Sequence, residues 1–161
     1  MPAYATNWAL LVRQVESMAQ DEPHWLPVLA NASALLWEEL DGINWVGFYV
    51  AGSLLDQRLA ADELVLGPFQ GKVACVRIAW GHGVCGTAVA TGRTQRVDDV
   101  HAFPGHIACD AASRSEVVVP LRAGGTVVGV LDVDSPHLAR FSVEDVAGFE
   151  ACARAIERAL A

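Results

Sequence analysis

The sequence predicts an α+β domain, a central antiparallel sheet of about six strands flanked by helices. Three observations carry this expectation. Strand-like apolar runs follow one another across short, turn-like connections, which favours antiparallel pairing over helical crossovers. Segments with helical periodicity come in the order helix, helix, three strands, short helix, three strands, helix. Hydrophobic residues make up 53% of the 161 residues and charged ones 19%, enough apolar material for one core. No repeat, linker or low-complexity tract interrupts it, so a single domain over residues 1–161 is expected.

Residues Asn7–Ala19 read as the first helix, with Trp8, Leu11, Val12, Val15 and Met18 at helical spacing and Thr6 or Asn7 to cap it. A second helix over His24–Leu40 is entered through Pro23 and stopped by Asp41-Gly42. Ile43–Val50, rich in β-branched and aromatic residues, reads as the first strand, with Leu64–Leu66 as its hairpin partner. The long segment Ala51–Glu63 between them has room for a turn of helix. A third strand is expected at Ala74–Ile78, a short helix near Val84–Ala90 and a fourth strand at Thr94–Val97. After an irregular segment, Asp98–Ser113, the strands Glu116–Leu121 and Val127–Asp132 are joined by Arg122-Ala123-Gly124-Gly125, a hairpin turn. Ser142 with Asp145 resembles a capping box and opens a last helix reaching Leu160.

The net charge is −8, Lys72 is the sole lysine, and the arginines are scattered without a basic stripe. Nucleic acid is therefore excluded as an expected partner. The first residues lack a signal-peptide layout and no apolar run is long enough to span a bilayer, so a cytoplasmic protein with no membrane partner is expected. In a reducing compartment, the four cysteines point to thiol chemistry before a disulfide framework.

Three of those cysteines, Cys75, Cys85 and Cys109, fall between Gly67 and Ser135, among loops rich in Gly, His and Asp. Cys85, in Gly81-His82-Gly83-Val84-Cys85-Gly86, opens the short helix, where backbone N–H groups and the helix dipole favour a thiolate of lowered pKa. Cys109 lies in a loop expected to border a pocket, and Cys75 in the third strand. Cys152, among alanines of the last helix, reads as a structural residue. The spacing offers no Cys-x2–4-Cys pair, so no metal is expected. Glu116 begins an apolar strand, while Asp132 and Asp134, two apart on a strand, share a face and, where that face lines a pocket, make an anionic site suited to an ammonium group. Trp45 and Tyr49, four apart, share a strand face and could wall a pocket.

Several runs resemble the free methionine-(R)-sulfoxide reductases, a family built on the GAF fold. They are Asn44-Trp45-Val46-Gly47-Phe48-Tyr49, Leu66-Gly67-Pro68-Phe69-Gln70-Gly71-Lys72, Ala74-Cys75-Val76-Arg77-Ile78 and Gly83-Val84-Cys85-Gly86-Thr87-Ala88. Further along come Gln95–His101, Phe103–Ser113, Ser115-Glu116 and Gly129–Ser135. Two departures stand out: Ala51–Glu63 is longer than expected, and Ala79-Trp80 replaces a more usual proline-containing pair.

The resemblance implies reduction of free L-methionine (R)-S-oxide, with Cys109 as the attacking thiol, Cys75 as its main resolving partner and Cys85 as a further recycling cysteine. It implies that Glu116, Asp132 and Asp134 bind substrate, with Trp45 and Tyr49 as aromatic wall. It further implies a homodimer, no bound cofactor, and thioredoxin as external reductant. Acids beside a thiol raise its pKa, and the ammonium of the substrate would offset their charge. The rival reading is a non-catalytic GAF module that binds a small ligand or senses redox state.

Overall fold

Two helices open the chain in the computed structural model, which describes residues 4–107 and 109–161. In α1 (Trp8–Ala19) the Asn7 side chain accepts a hydrogen bond from the Leu10 amide and caps the first turn. In α2 (Trp25–Glu39) the His24 ring caps Leu26, and Pro27 sits in the first turn, where its missing N–H has no helical partner to lose. The remaining order is β1 (Trp45–Ala51), α3 (Gly52–Leu55), β2 (Glu63–Gly71), β3 (Arg77–Ala79), α4 (Gly83–Thr91), β4 (Gln95–Val97), a 3-10 turn at Val100–Ala102, β5 (Ser115–Ala123), β6 (Thr126–Ser135) and α5 (Val143–Leu160).

The six strands form one sheet in the order β3-β2-β1-β6-β5-β4, with every neighbouring pair antiparallel. The expected α+β architecture therefore holds. The short helix α3 fills the long connection after β1, and Gly124 and Gly125, at φ +56° and +82°, make the tight turn between β5 and β6.

Side-chain alternation divides this sheet into two faces. Val46, Phe48, Val50, Val117, Val119, Leu121, Leu131 and Val133 point to the side covered by α1, α2 and α5, and form the larger core. Trp45, Tyr49, Val118 and Val130 point the other way, against α4 and its flanking loops. Cys152 is fully buried in the larger core, consistent with a structural role.

The last helix shows the full capping box: Ser142 accepts from the Asp145 amide, and Asp145 accepts from the Ser142 amide. Asp145 also pairs with buried Arg140 at 3.0 Å and accepts from the Trp8 indole at 3.2 Å, which joins α1 to the start of α5. One turn on, the Trp8 ring lies over Gly148, where a β-carbon would fall 2.0 Å from a ring atom. Gly148→Ala is therefore expected to lower stability by about 1–3 kcal/mol through overpacking, despite alanine's better helix propensity. Urea denaturation checks this; a stabilised variant would show that the α1–α5 contact yields.

Three strands differ from the sequence expectation by three residues or more at one end. β2 extends to Gly71 because Trp45 pairs with Gly71 and Val46 with Gln70. The third strand is only Arg77–Ala79, so Cys75 lies in the preceding loop, not in a strand. β6 continues past Asp132 to Ser135, since Asp134 pairs with Trp45 of β1 and Ser135 with Ser115 of β5. Among the described residues, no helix is long and apolar enough to cross a membrane.

Candidate active site

The sheet face opposite the larger core carries the polar side chains. In the β1–β6–β5 register Trp45 pairs with Asp134 and Asp134 with Glu116, while Gly47 pairs with Asp132 and Asp132 with Val118. Glu116, Asp132 and Asp134 thus meet on adjacent strands, on the same face as Trp45 and Tyr49. The start of α4 brings Cys85 onto this floor, 3.9 Å from Glu116 Oε1.

Two loops close over the floor. One, between β2 and β3, carries Cys75; the other, after the 3-10 turn, carries Cys109. A disulfide joins Cys75 to Cys109, with Cα atoms 5.6 Å apart across 34 residues of sequence. The aromatic wall holds the first loop by its polar ends. The Tyr49 hydroxyl donates to the Cys75 carbonyl at 2.9 Å, and the Trp45 indole donates to the Lys72 carbonyl at 3.2 Å. The Trp45 ring stacks on Phe69 and on Tyr49, with centroids 5.2 and 5.9 Å apart. Asn44 holds the second loop, donating to Asp110 and Ser113 at 3.1 Å each. The space between this floor and the two loops, open solvent at its mouth included, measures about 530 Å3.

The floor is acidic and largely buried. Glu116 and Asp132 are 7% and 5% exposed, and among the described residues no Lys, Arg or His forms an ion pair with either of them or with Asp134. Burial, then the charges of Asp132 and Asp134, holds the Glu116 carboxyl well above the usual carboxylate range. Burial pushes Asp132 up to about 6, and burial with the charges of Asp132 and Asp110 raises Asp134. Asp132 Oδ1 is buried without a hydrogen-bond partner.

These shifts set a stability trend. A carboxyl whose folded pKa exceeds its unfolded value stabilises the fold below about pH 4, and that contribution is lost as pH rises through about 6. Asp132→Asn removes the penalty of ionising a buried acid. At pH 7 the variant is expected to be more stable than the unsubstituted chain by about 3 kcal/mol at most, with the gap shrinking towards pH 4. Denaturant unfolding at several pH values checks this; a gap independent of pH would refute it.

A family model described as GAF domain matches residues 9–160. A protein of Escherichia coli named free methionine-R-sulfoxide reductase is 51% identical over 96% of this chain and 88% of its own length. The chain belongs to the GAF-domain family of free methionine-R-sulfoxide reductases. Protein YtsP of Bacillus subtilis is 52% identical over 96% of this chain and 91% of its own length. The structure of fRMsr of Staphylococcus aureus in its reduced form covers all of both chains at 50% identity with a TM-score of 0.91, and the same protein in complex with substrate aligns at 0.89.

Within this free methionine-R-sulfoxide reductase fold, Trp45, Tyr49, Cys85, Cys109, Glu116, Asp132 and Asp134 all line the one pocket. The remaining expected site residue, Cys75, is bonded to Cys109 at its edge. One expectation fails. Cys85 is not a thiolate favoured by the start of α4. It is 5% exposed, and burial together with Asp132, Glu116 and Asp134 raises its thiol pKa. The desolvation and the three acids outweigh the partial charge of one helix terminus.

Sequence reasoning gave no role to Asn44, which fastens the Cys109 loop, or to the Lys72 carbonyl, which fastens the Cys75 loop. Asn44 stands just before a strand, where an asparagine is unremarkable, and a backbone carbonyl leaves no signal in residue identity. His82 and His106 also line the pocket. The sequence marks them as loop histidines and nothing more.

Proposed function

We propose that this chain reduces free L-methionine (R)-S-oxide to L-methionine. The observation that carries the reading is the Cys75–Cys109 disulfide at the edge of a pocket floored by Glu116, Asp132 and Asp134 and walled by Trp45 and Tyr49. The acids suit the ammonium group of a free amino acid, the wall suits its thioether end, and the cysteine pair accounts for two electrons.

In the reduced protein the Cys109 sulfur attacks the sulfoxide sulfur while a pocket carboxyl protonates the oxygen. The S–O oxygen passes to Cys109, methionine leaves with its sulfur reduced, and Cys109 is left as a sulfenic acid. The Cys75 thiol then displaces that oxygen as water and forms the disulfide. An external dithiol, thioredoxin on the family likeness, returns the pair to thiols by exchange. Burial of Cys85 beside three acids disfavours it as first resolving thiol and leaves it a secondary place in recycling. The family likeness extends the reading to a homodimer in the cytoplasm with no bound cofactor.

The environments of the acids suggest a division of labour. Glu116, held well above the usual carboxylate range, is suited to give a proton, whereas Asp132, near 6, is ionised at neutral pH and faces the ammonium. A coupled assay with thioredoxin, thioredoxin reductase and NADPH tests the whole reading. NADPH consumption is expected with the R epimer of the free sulfoxide, and neither with the S epimer nor at a comparable rate with the N-acetylated R sulfoxide. Near-equal rates on the N-acetylated compound would sink the ammonium assignment, and no turnover on either epimer would favour a ligand-binding module.

A further inference from the structure

We infer that Cys85, Glu116 and Asp132 form a binding site for one zinc-class divalent cation, seated on the pocket floor in competition with the substrate. The donor atoms of these three residues lie within 4.8 Å of one another, and all three residues are buried. The Cys85 sulfur and Glu116 Oε1 are 3.9 Å apart. Tetrahedral zinc with bonds of about 2.0–2.3 Å sets its donors about 3.5 Å apart, so closure needs only a small contraction.

A second observation points to a missing ligand. Asp132 is 5% exposed, lines the pocket, and its Oδ1 is buried with no hydrogen-bond partner. No cationic side chain among the described residues pairs with Glu116 or Asp132, so a dication would supply the only formal positive charge in contact with them. One thiolate with two carboxylates favours a borderline-soft ion over magnesium or calcium, which prefer oxygen alone. Three protein donors leave the fourth corner for water or a pocket histidine.

The spacing argument against metal addressed sites built from Cys-x-x-Cys pairs. Here the donors come from three separate elements, α4, β5 and β6, and meet only through strand register. Each donor is fixed on a helix or strand, the kind of support a metal site needs. On binding, the Cys85 thiol and any protonated carboxyl release their protons to solvent, with no redox change. The site itself is independent of the proposed reductase activity; only its inhibitory effect rests on that reading.

The test uses the disulfide form of the full chain. There Cys75 and Cys109 are tied to each other, and the free thiols are Cys85 in the pocket and Cys152 in the core across the sheet. Titration with cobalt(II) chloride is expected to give a thiolate-to-metal charge-transfer absorption saturating at one equivalent and displaced by zinc. Cys85→Ser abolishes the band, Asp132→Asn weakens binding at least tenfold, and Cys152→Ser leaves it unchanged. No saturable band, or a band that survives Cys85→Ser, overturns the site. Should Cys85→Ser fail to fold, an unchanged affinity in Asp132→Asn overturns it instead.

Free L-methionine (R)-S-oxide is expected to release the bound cobalt. Cobalt retained at saturating sulfoxide, in protein that turns the sulfoxide over, overturns the competition. Cobalt bound through Cys85 in protein that shows no turnover supports the site while sinking the reductase reading.

Discussion

Cys109→Ser is expected to abolish reduction of free L-methionine (R)-S-oxide, a loss of about 10^4-fold or more, while leaving the fold intact. A serine hydroxyl is a far weaker nucleophile and does not carry the two-electron change of a thiol. Neither free cysteine is suited to take over. Cys85 is buried beside three acids that raise its pKa, and Cys152 lies in the helical core on the far side of the sheet. Cys75→Ser separates the two halves of the cycle. It is expected to release about one methionine per protein and then stall, because the sulfenic acid forms but lacks its resolving thiol. Quantifying methionine in a single-turnover experiment distinguishes the variants. A burst in Cys109→Ser and none in Cys75→Ser would exchange the two roles.

Glu116→Gln carries the second large effect. The amide keeps the size and hydrogen-bonding capacity of the side chain but has no acidic proton to give. A fall in kcat of about 10^2–10^4-fold is expected, the usual range for losing a positioned general acid. KM should move less, since Asp132 and Asp134 still face the ammonium. The unsubstituted enzyme is expected to lose activity as pH rises through the elevated Glu116 pKa, and the variant to lack that limb. The glutamine should also stabilise the resting protein, because an isolated buried acid costs the fold its ionisation. A variant within threefold of full activity would move the proton to Asp134, which is raised by the same surroundings.

Much of this site was legible because strands alternate. Two residues apart on a strand means one face, so Asp132 with Asp134 and Trp45 with Tyr49 could be grouped before any fold was known. Bringing those two pairs together with Glu116 required strand order, and the β1–β6–β5 adjacency is a long-range fact that no local pattern carries. Cys75 shows the converse limit. Its run Ala74-Cys75-Val76-Arg77-Ile78 has β propensity, yet the pairing partners of β2 are Arg77, Ile78 and Ala79. Tertiary context moved the cysteine into a loop able to reach Cys109. The Cys85 expectation failed for a related reason. Helix position is visible in sequence, whereas the acids that face it arrive from strands 31 and 47 residues further on.

The division of the sheet into two faces also bears on how such a chain can change over time. Positions such as Val46, Phe48, Val117 and Leu131 answer to the helical packing, while their strand neighbours answer to the pocket. The two sets interleave in sequence yet respond to separate demands. Drift on one side therefore leaves the other largely untouched. A lineage could exchange the acids and cysteines for another small-molecule chemistry, or for plain binding, and inherit the same scaffold unaltered.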